Sequence, residues 1–184
     1  MRGKYYGLGV IVGRFQGIHA GHEMMIDSAL GVCSEVAVFI GSSQESGTEK
    51  NPFTYEMRRD MLTKLYGKKI KIFPLPDIGV GNCAEWGEYV TSCVKEKCGK
   101  APDVCVSGKE SRRASWLEGK SGASVAELYV PKTVEMSATR MRGFFIENDL
   151  ESWKNFTPPK LWDMYDELRQ TVLSAQGNTD TSSL

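Results

Sequence analysis

Within ten residues, Gly13 to His22, the chain places Arg14 and both of its histidines, His19 and His22. This segment follows a short apolar, β-branched run, Leu8 to Val12, and leads into a helical pattern. A strand running into a helix there puts the two imidazoles three residues apart on one side of the helix's positive end. Ring N–H donors and backbone amides can then meet a phosphate together. Gly21 would let such a ligand come close to the backbone. The plainer alternative is an exposed pair or a helix cap; the position at the first strand-to-helix turn favours the phosphate reading.

Two other patterns invite a nucleotide reading. Ala114 to Ser121, ASWLEGKS, fits the loosest phosphate-loop pattern, but no strand directly precedes it and Trp116, Leu117 and Glu118 obstruct a wrap of backbone amides, so it reads as a chance match. Gly79 to Ala84 fits G-x-G-x-x-A between a strand and a helix. That fingerprint belongs to the first βα turn, and Pro74, Pro76 and Asp77 intervene here, so it reads as a structural turn with a dinucleotide site as runner-up. The five cysteines, at 33, 83, 93, 98 and 105, have no CxxC spacing. With two histidines they supply a tetrahedral zinc site poorly, so no metal site is expected and reduced thiols of a cytoplasmic protein are.

The frame for these residues lies in the apolar runs. Val36 to Ile40, Ile70 to Phe73, Val104 to Val106 and Leu128 to Val130 repeat the character of Leu8 to Val12, and helical patterns fall between them at Gly21 to Leu30, Thr54 to Leu65 and Ala84 to Lys97. This rhythm predicts an α/β fold, a Rossmann-like doubly wound parallel sheet with C-terminal helices, whose ligands sit beyond the carboxyl ends of the strands. Ser137 ahead of an apolar-periodic run marks one helix start, and Pro158-Pro159 another. The latter helix, about 160–173, would pack through Leu161, Trp162, Tyr165, Leu168 and Val172. We expect one domain over residues 1–175, with a core at 8–145, closing helices at 146–175 and a disordered polar tail at 176–184.

Composition bounds the function. The 184 residues are 41% hydrophobic and 25% charged, ordinary for a globular enzyme or binding domain, and 23 basic residues balance 23 acidic ones. Zero net charge gives no bulk reason to bind nucleic acid or an anionic membrane, so an anion site must be local. No apolar run approaches a membrane span, and the start reads as a first strand rather than a signal peptide, which makes the cytoplasm the expected location.

GRFQGIHAGH resembles the (H/T)xGH signature of the nucleotidylyltransferase superfamily, and Ser137 to Arg142, SATRMR, resembles its downstream S-x-T-x-x-R element. Gly41 to Glu45 and Asn51 to Arg58 are similar to the G-S-x-Q and NPFT-x-x-x-R stretches of archaeal-type nicotinamide mononucleotide (NMN) adenylyltransferases. The resemblance implies transfer of AMP from ATP to NMN, giving NAD and pyrophosphate by in-line displacement, with Mg2+ arriving on ATP and held by phosphates and water. It implies catalytic roles for His19, His22 and Arg142. ATP contacts would come from Gly13, Arg14, Phe15, Gly21, Arg58, Ser137 and Thr139, with Lys109 as an extra cation. The acceptor would meet Ser42, Gln44, Phe53, Asp77, Asn82 and Trp86, the tryptophan offering its face to a pyridinium. The resemblance also suggests a homo-oligomer. For Trp86 the alternative is core filling; for Arg58 it is a surface ion pair with Glu56 or Asp60. Gly17-Ile18 replaces the usual Pro-Phe, Gly47 stands where relatives often carry histidine, and Val106 to Glu110 looks closer to pantetheine-phosphate adenylyltransferases, which makes that acceptor the alternative within the superfamily.

Overall fold

Five runs rich in Val, Ile and Leu form the strands β1 (Tyr6–Gly13), β2 (Cys33–Gly41), β3 (Lys71–Leu75), β4 (Val104–Ser107) and β5 (Ala126–Tyr129) in a computed structural model that describes residues 3–108, 117–131 and 136–178. All pair in parallel, in the order β3-β2-β1-β4-β5. Alternate residues of β2 feed two different cores: Val36, Val38 and Ile40 join one buried cluster, Ala37 and Phe39 the other. Both faces of the sheet are therefore apolar, which is why the strands read as continuous hydrophobic runs.

The helices α1 (Ala20–Val32), α2 (Tyr55–Tyr66), α3 (Ala84–Cys98), α4 (Ala138–Ile146), α5 (Leu150–Phe156) and α6 (Tyr165–Ser174) cover these faces. Residues of α1, α2, α4, α5 and α6 join the first cluster; Val90 and Val94 of α3, with Leu117 and Val125, close the second. The chain runs outward from β1 to β2 and β3, then crosses back to β4 and β5. Strand order thus reverses between β1 and β4, and a crevice opens beyond their carboxyl ends. The expected α/β, Rossmann-like class is borne out.

Local signals set the helix starts. Thr54 Oγ1 accepts from Met57 N at 3.2 Å, Ser137 Oγ from Arg140 N at 3.2 Å and Asp149 Oδ1 from Ser152 N at 3.0 Å. The expected helix at about 160–173 is corrected: Pro159–Met164 is a 3-10 segment, and α6 begins at Tyr165. The tighter turn removes Trp162 from the stripe made by Leu161, Tyr165, Leu168 and Val172. Trp162 is 39% exposed, donates its indole N–H to Thr157 O at 3.0 Å, and lies under the Lys154 ammonium at 5.3 Å. Helix α5 falls within the stretch 146–175 expected to hold closing helices, though no bounds are drawn for it there. Its Trp153 is buried against Phe145 and Tyr165, with ring centroids at 5.5 and 5.1 Å. Asn178, in the tail, accepts from Glu49 N at 3.0 Å and donates to Gly47 O at 3.0 Å. Among the described residues no helix is long and apolar enough to cross a membrane.

Candidate active site

At the end of β1 a Cβ on Gly13 would come within 3.2 Å of the Phe15 ring. Phe15 itself has φ +53°, a left-handed conformation that costs a bulky residue free energy, and its ring is buried 5.0 Å from that of His22. Beyond it, the two histidines cap α1 reciprocally. His19 Nδ1 accepts from Gly21 N at 3.2 Å, His22 Nδ1 accepts from His19 N at 3.4 Å, and the rings lie 4.0 Å apart. With Nδ1 accepting, a neutral ring carries its proton on Nε2, near the positive end of α1. The helix cap that the sequence offered as the plainer alternative is therefore present, and both rings also line the cleft described below. A Cβ on Gly21 would sit 3.1 Å from His19 Nδ1, so this glycine makes room for the histidine ring while also lining the cleft.

The second signature builds the opposite wall. Ser137 caps α4, and Thr139 Oγ1 accepts from Arg142 Nη2 at 3.3 Å. Burial, reinforced by the charge of Arg14 and opposed by Glu49, pushes the Arg142 guanidinium below its ordinary pKa. Arg14 and Arg142 both line the space between α1 and α4.

That space is a cleft of about 640 Å³, within the usual range for a small-molecule site. It is lined by Gly13, Arg14, Phe15, His19, Gly21 and His22 from the first signature and by Ser137, Thr139 and Arg142 from the second. Ser42, Asp77, Asn82 and Trp86 line it as well, with Met24, Met25, Val130 and Met136 giving an apolar portion. Trp86 also packs beside Tyr89 at 5.4 Å, so its core and cleft roles coexist. Gly81 and Asn82, from the loop that carried the rival dinucleotide pattern, belong to this same cleft. Sequence reasoning missed Lys50, a lining cation whose signal was its position directly before Asn51-Pro52. Among the described lining residues Arg14, Lys50 and Arg142 face a single acid, Asp77.

Three expected site residues turn away from the cleft. Arg58 does not reach toward phosphate and forms no surface pair with Glu56 or Asp60; it is fully buried, with its guanidinium donating to backbone carbonyls, and Asp60 instead pairs with Arg59 at 2.9 Å. Burial lowers the Arg58 pKa to about 10, with the charge of Glu45 opposing the shift. Phe53 is a core ring, edge-on to Phe145 at 6.4 Å. Its backbone exchanges hydrogen bonds of 2.9 and 3.1 Å with the side chain of Gln16, which does line the cleft. Gln44 engages the backbone of Asp77 in both directions, at 3.2 and 3.0 Å, and so holds the turn after β3. Lys109 and Ala114–Trp116 lie outside the described residues. Among those described, no three His, Cys, Asp or Glu side chains converge on a point that could hold a metal.

A parallel sheet whose switch point faces two helix N-termini and a set of cations defines an α/β phosphate-binding domain. The chain belongs to the cytidylyltransferase-like family, whose model matches residues 10–142. It is 32% identical over 167 residues to a nicotinamide-nucleotide adenylyltransferase of Thermococcus kodakarensis, covering 88% of this chain and 83% of that protein. A Pyrococcus furiosus protein of the same name is 32% identical over 168 residues, covering 88% and 84%. In fold, the chain matches a bifunctional NMN adenylyltransferase/ADP ribose pyrophosphatase from Francisella tularensis, complexed with AMP and a manganese ion, with a TM-score of 0.71 and 21% identity over 92% of this chain. This chain spans about half, 52%, of that bifunctional protein.

Proposed function

We propose that this chain transfers AMP from ATP to NMN, forming NAD and releasing pyrophosphate. The observation that carries the reading is the convergence of the histidine pair of α1 and the Ser137–Arg142 segment of α4 on one cleft, in a chain whose curated archaeal relatives bear the name of that activity. A phosphate oxygen of NMN attacks the α-phosphorus of ATP; the new O–P bond forms as the bond to the pyrophosphate oxygen breaks. A phosphate dianion is already a competent nucleophile, so the protein's task is to align two anions and stabilise the charge that moves to the leaving group.

The Nε2–H groups of His19 and His22 hydrogen-bond the phosphates of ATP in this reading, and Arg14, Lys50 and Arg142 neutralise them. Ser137 and Thr139 present the amide end of α4 to the triphosphate. Asn82, Trp86, Asp77 and Ser42 receive the nicotinamide side of the acceptor. Magnesium would enter as part of the substrate, MgATP, and would supply further neutralisation of the phosphates; among the described residues no cluster of acids stands ready to hold it. Residues 1–175 act as one transferase domain, and the five thiols, none in a disulfide, suit a reducing cytoplasm.

The test is NAD production from MgATP and NMN, with pyrophosphate followed in parallel, for the wild type and His22→Ala. NAD that appears with the wild type and is lost in a folded His22→Ala protein supports the reading. Pyrophosphate released with phosphopantetheine and not with NMN would overturn the acceptor while keeping the reaction class.

A further inference from the structure

A wholly buried arginine must have its donors satisfied, because an unpaired charge in the interior is very costly. Arg58 meets that condition without a carboxylate hydrogen bond. Its Nε donates to Thr54 O at 3.1 Å, Nη1 to Arg14 O and Gly41 O at 3.0 Å each, and Nη2 to Ser42 O at 3.2 Å and Glu45 O at 3.4 Å. One planar fork thus ties together the turn after β1, the turn after β2 and the first turn of α2. The two turns it joins are strained: Phe15, next to Arg14, has φ +53° and Ser42 has φ +46°. Such backbones persist where the surroundings hold them.

A second path returns to the same place through side chains. Arg14 Nη1 donates to Asn51 Oδ1 at 3.4 Å, and the Nδ2 of the fully buried Asn51 donates to Glu45 Oε2 at 2.6 Å. Glu45 is in turn held by its carbonyl on Arg58. Arg58 therefore fixes the main chain of Arg14, and Asn51, anchored on Glu45, fixes the direction of its guanidinium.

We propose that Arg58 is a positioning residue of the transferase: it locks the turns after β1 and β2 so that Arg14 and Ser42 stand preset in the cleft, while Asn51 aims Arg14 at the nucleotide phosphates. This rests on the reading of the cleft as an MgATP site. A lysine could not replace Arg58, since one ammonium has three donors on a single point and cannot span five carbonyls.

The experiment compares Arg58→Lys and Asn51→Ala, each alone and combined with Arg14→Ala, by calorimetric MgATP binding, by kcat and KM for NAD formation, and by thermal midpoint. Each single variant is expected to weaken MgATP binding or kcat/KM by about 100-fold, the scale of a roughly 1 Å misplacement. Asn51→Ala should leave the KM for NMN nearly unmoved. In the Arg14→Ala background both effects should shrink strongly, because they act through Arg14. Full additivity with Arg14→Ala, or a lowered thermal midpoint with unchanged MgATP affinity of the folded protein, would overturn the proposal. If Arg58→Lys does not fold, Asn51→Ala, which leaves all five carbonyl contacts of Arg58 in place, decides by the same additivity. A wild type that binds MgATP but makes no NAD sinks the acceptor assignment and leaves this test intact; a wild type that binds no MgATP sinks both.

Discussion

In the proposed reaction the His19–His22 pair combines two tasks, since Nδ1 of each ring caps α1 while the opposite edge is assigned to phosphate. Replacing His22 by alanine removes one cap acceptor together with the phosphate donor proposed for it, and kcat should fall by about 100-fold or more, as when a transition-state donor is lost elsewhere. Gly21→Ala separates the two tasks. Its Cβ would press on His19 at 3.1 Å without removing either imidazole. We expect a cap loss of about 1 kcal/mol in denaturant unfolding and a fall in NAD formation larger than that destabilisation explains. At this scale the sequence was legible where residue type alone carries chemistry: both histidines, Arg14 and Arg142 stand in the cleft. It was not legible where direction matters. Arg58, Gln44 and Phe53 have the types a ligand site would use, yet burial and the hydrogen-bond demands of nearby turns direct them to backbone or core instead. Spacing along a chain says nothing about which way a guanidinium points.

Among the elements, α4 depends on its cap. Ser137→Ala should cost about 1 kcal/mol of stability and raise the KM for MgATP more than that for NMN, since the capped amide end is the part turned to the cleft. The β3 edge of the sheet carries a pH-dependent tie. Glu35 of β2 meets Lys71 of β3 at 2.6 Å and Lys100 of the α3–β4 loop at 2.5 Å, and these hydrogen bonds lower its pKa from 4.5 to about 2. A depressed carboxylate stabilises the fold above its unfolded pKa, and that contribution disappears as pH falls through about 2. The thermal-midpoint gap between wild type and Glu35→Gln should therefore be full at neutral pH, narrow below about 4.5 and close near 2; added salt should narrow it at any pH, because the pair is exposed. Strands and long helices were readable from apolar runs and helical periodicity. The short α5 and the 3-10 segment before α6 were not, because too few turns leave no periodic signal and a proline pair marks where a helix begins without saying which kind.

For the whole molecule, the closing layer of Phe145, Trp153 and Tyr165 joins α4, α5 and α6 around one aromatic cluster. Trp153→Ala should cost about 3–5 kcal/mol in denaturant unfolding, and because α4 belongs to both the cluster and the cleft, MgATP should restore part of the loss. The strand order has a consequence in time as well as in space. β1 lies in the middle of the sheet, with Gly9 opposite Val36 on one side and Val104 on the other. As the chain leaves the ribosome, β1, β2 and β3 can assemble in sequence, yet the second edge of β1 stays bare until β4 has been made. Only when Ser137 to Arg142 follow can a nucleotide bridge the two halves. Nascent chains stalled before β4 should therefore be open-edged and prone to pair with one another, and the finished protein should fold slowly for its size, since its central contacts join residues far apart along the chain.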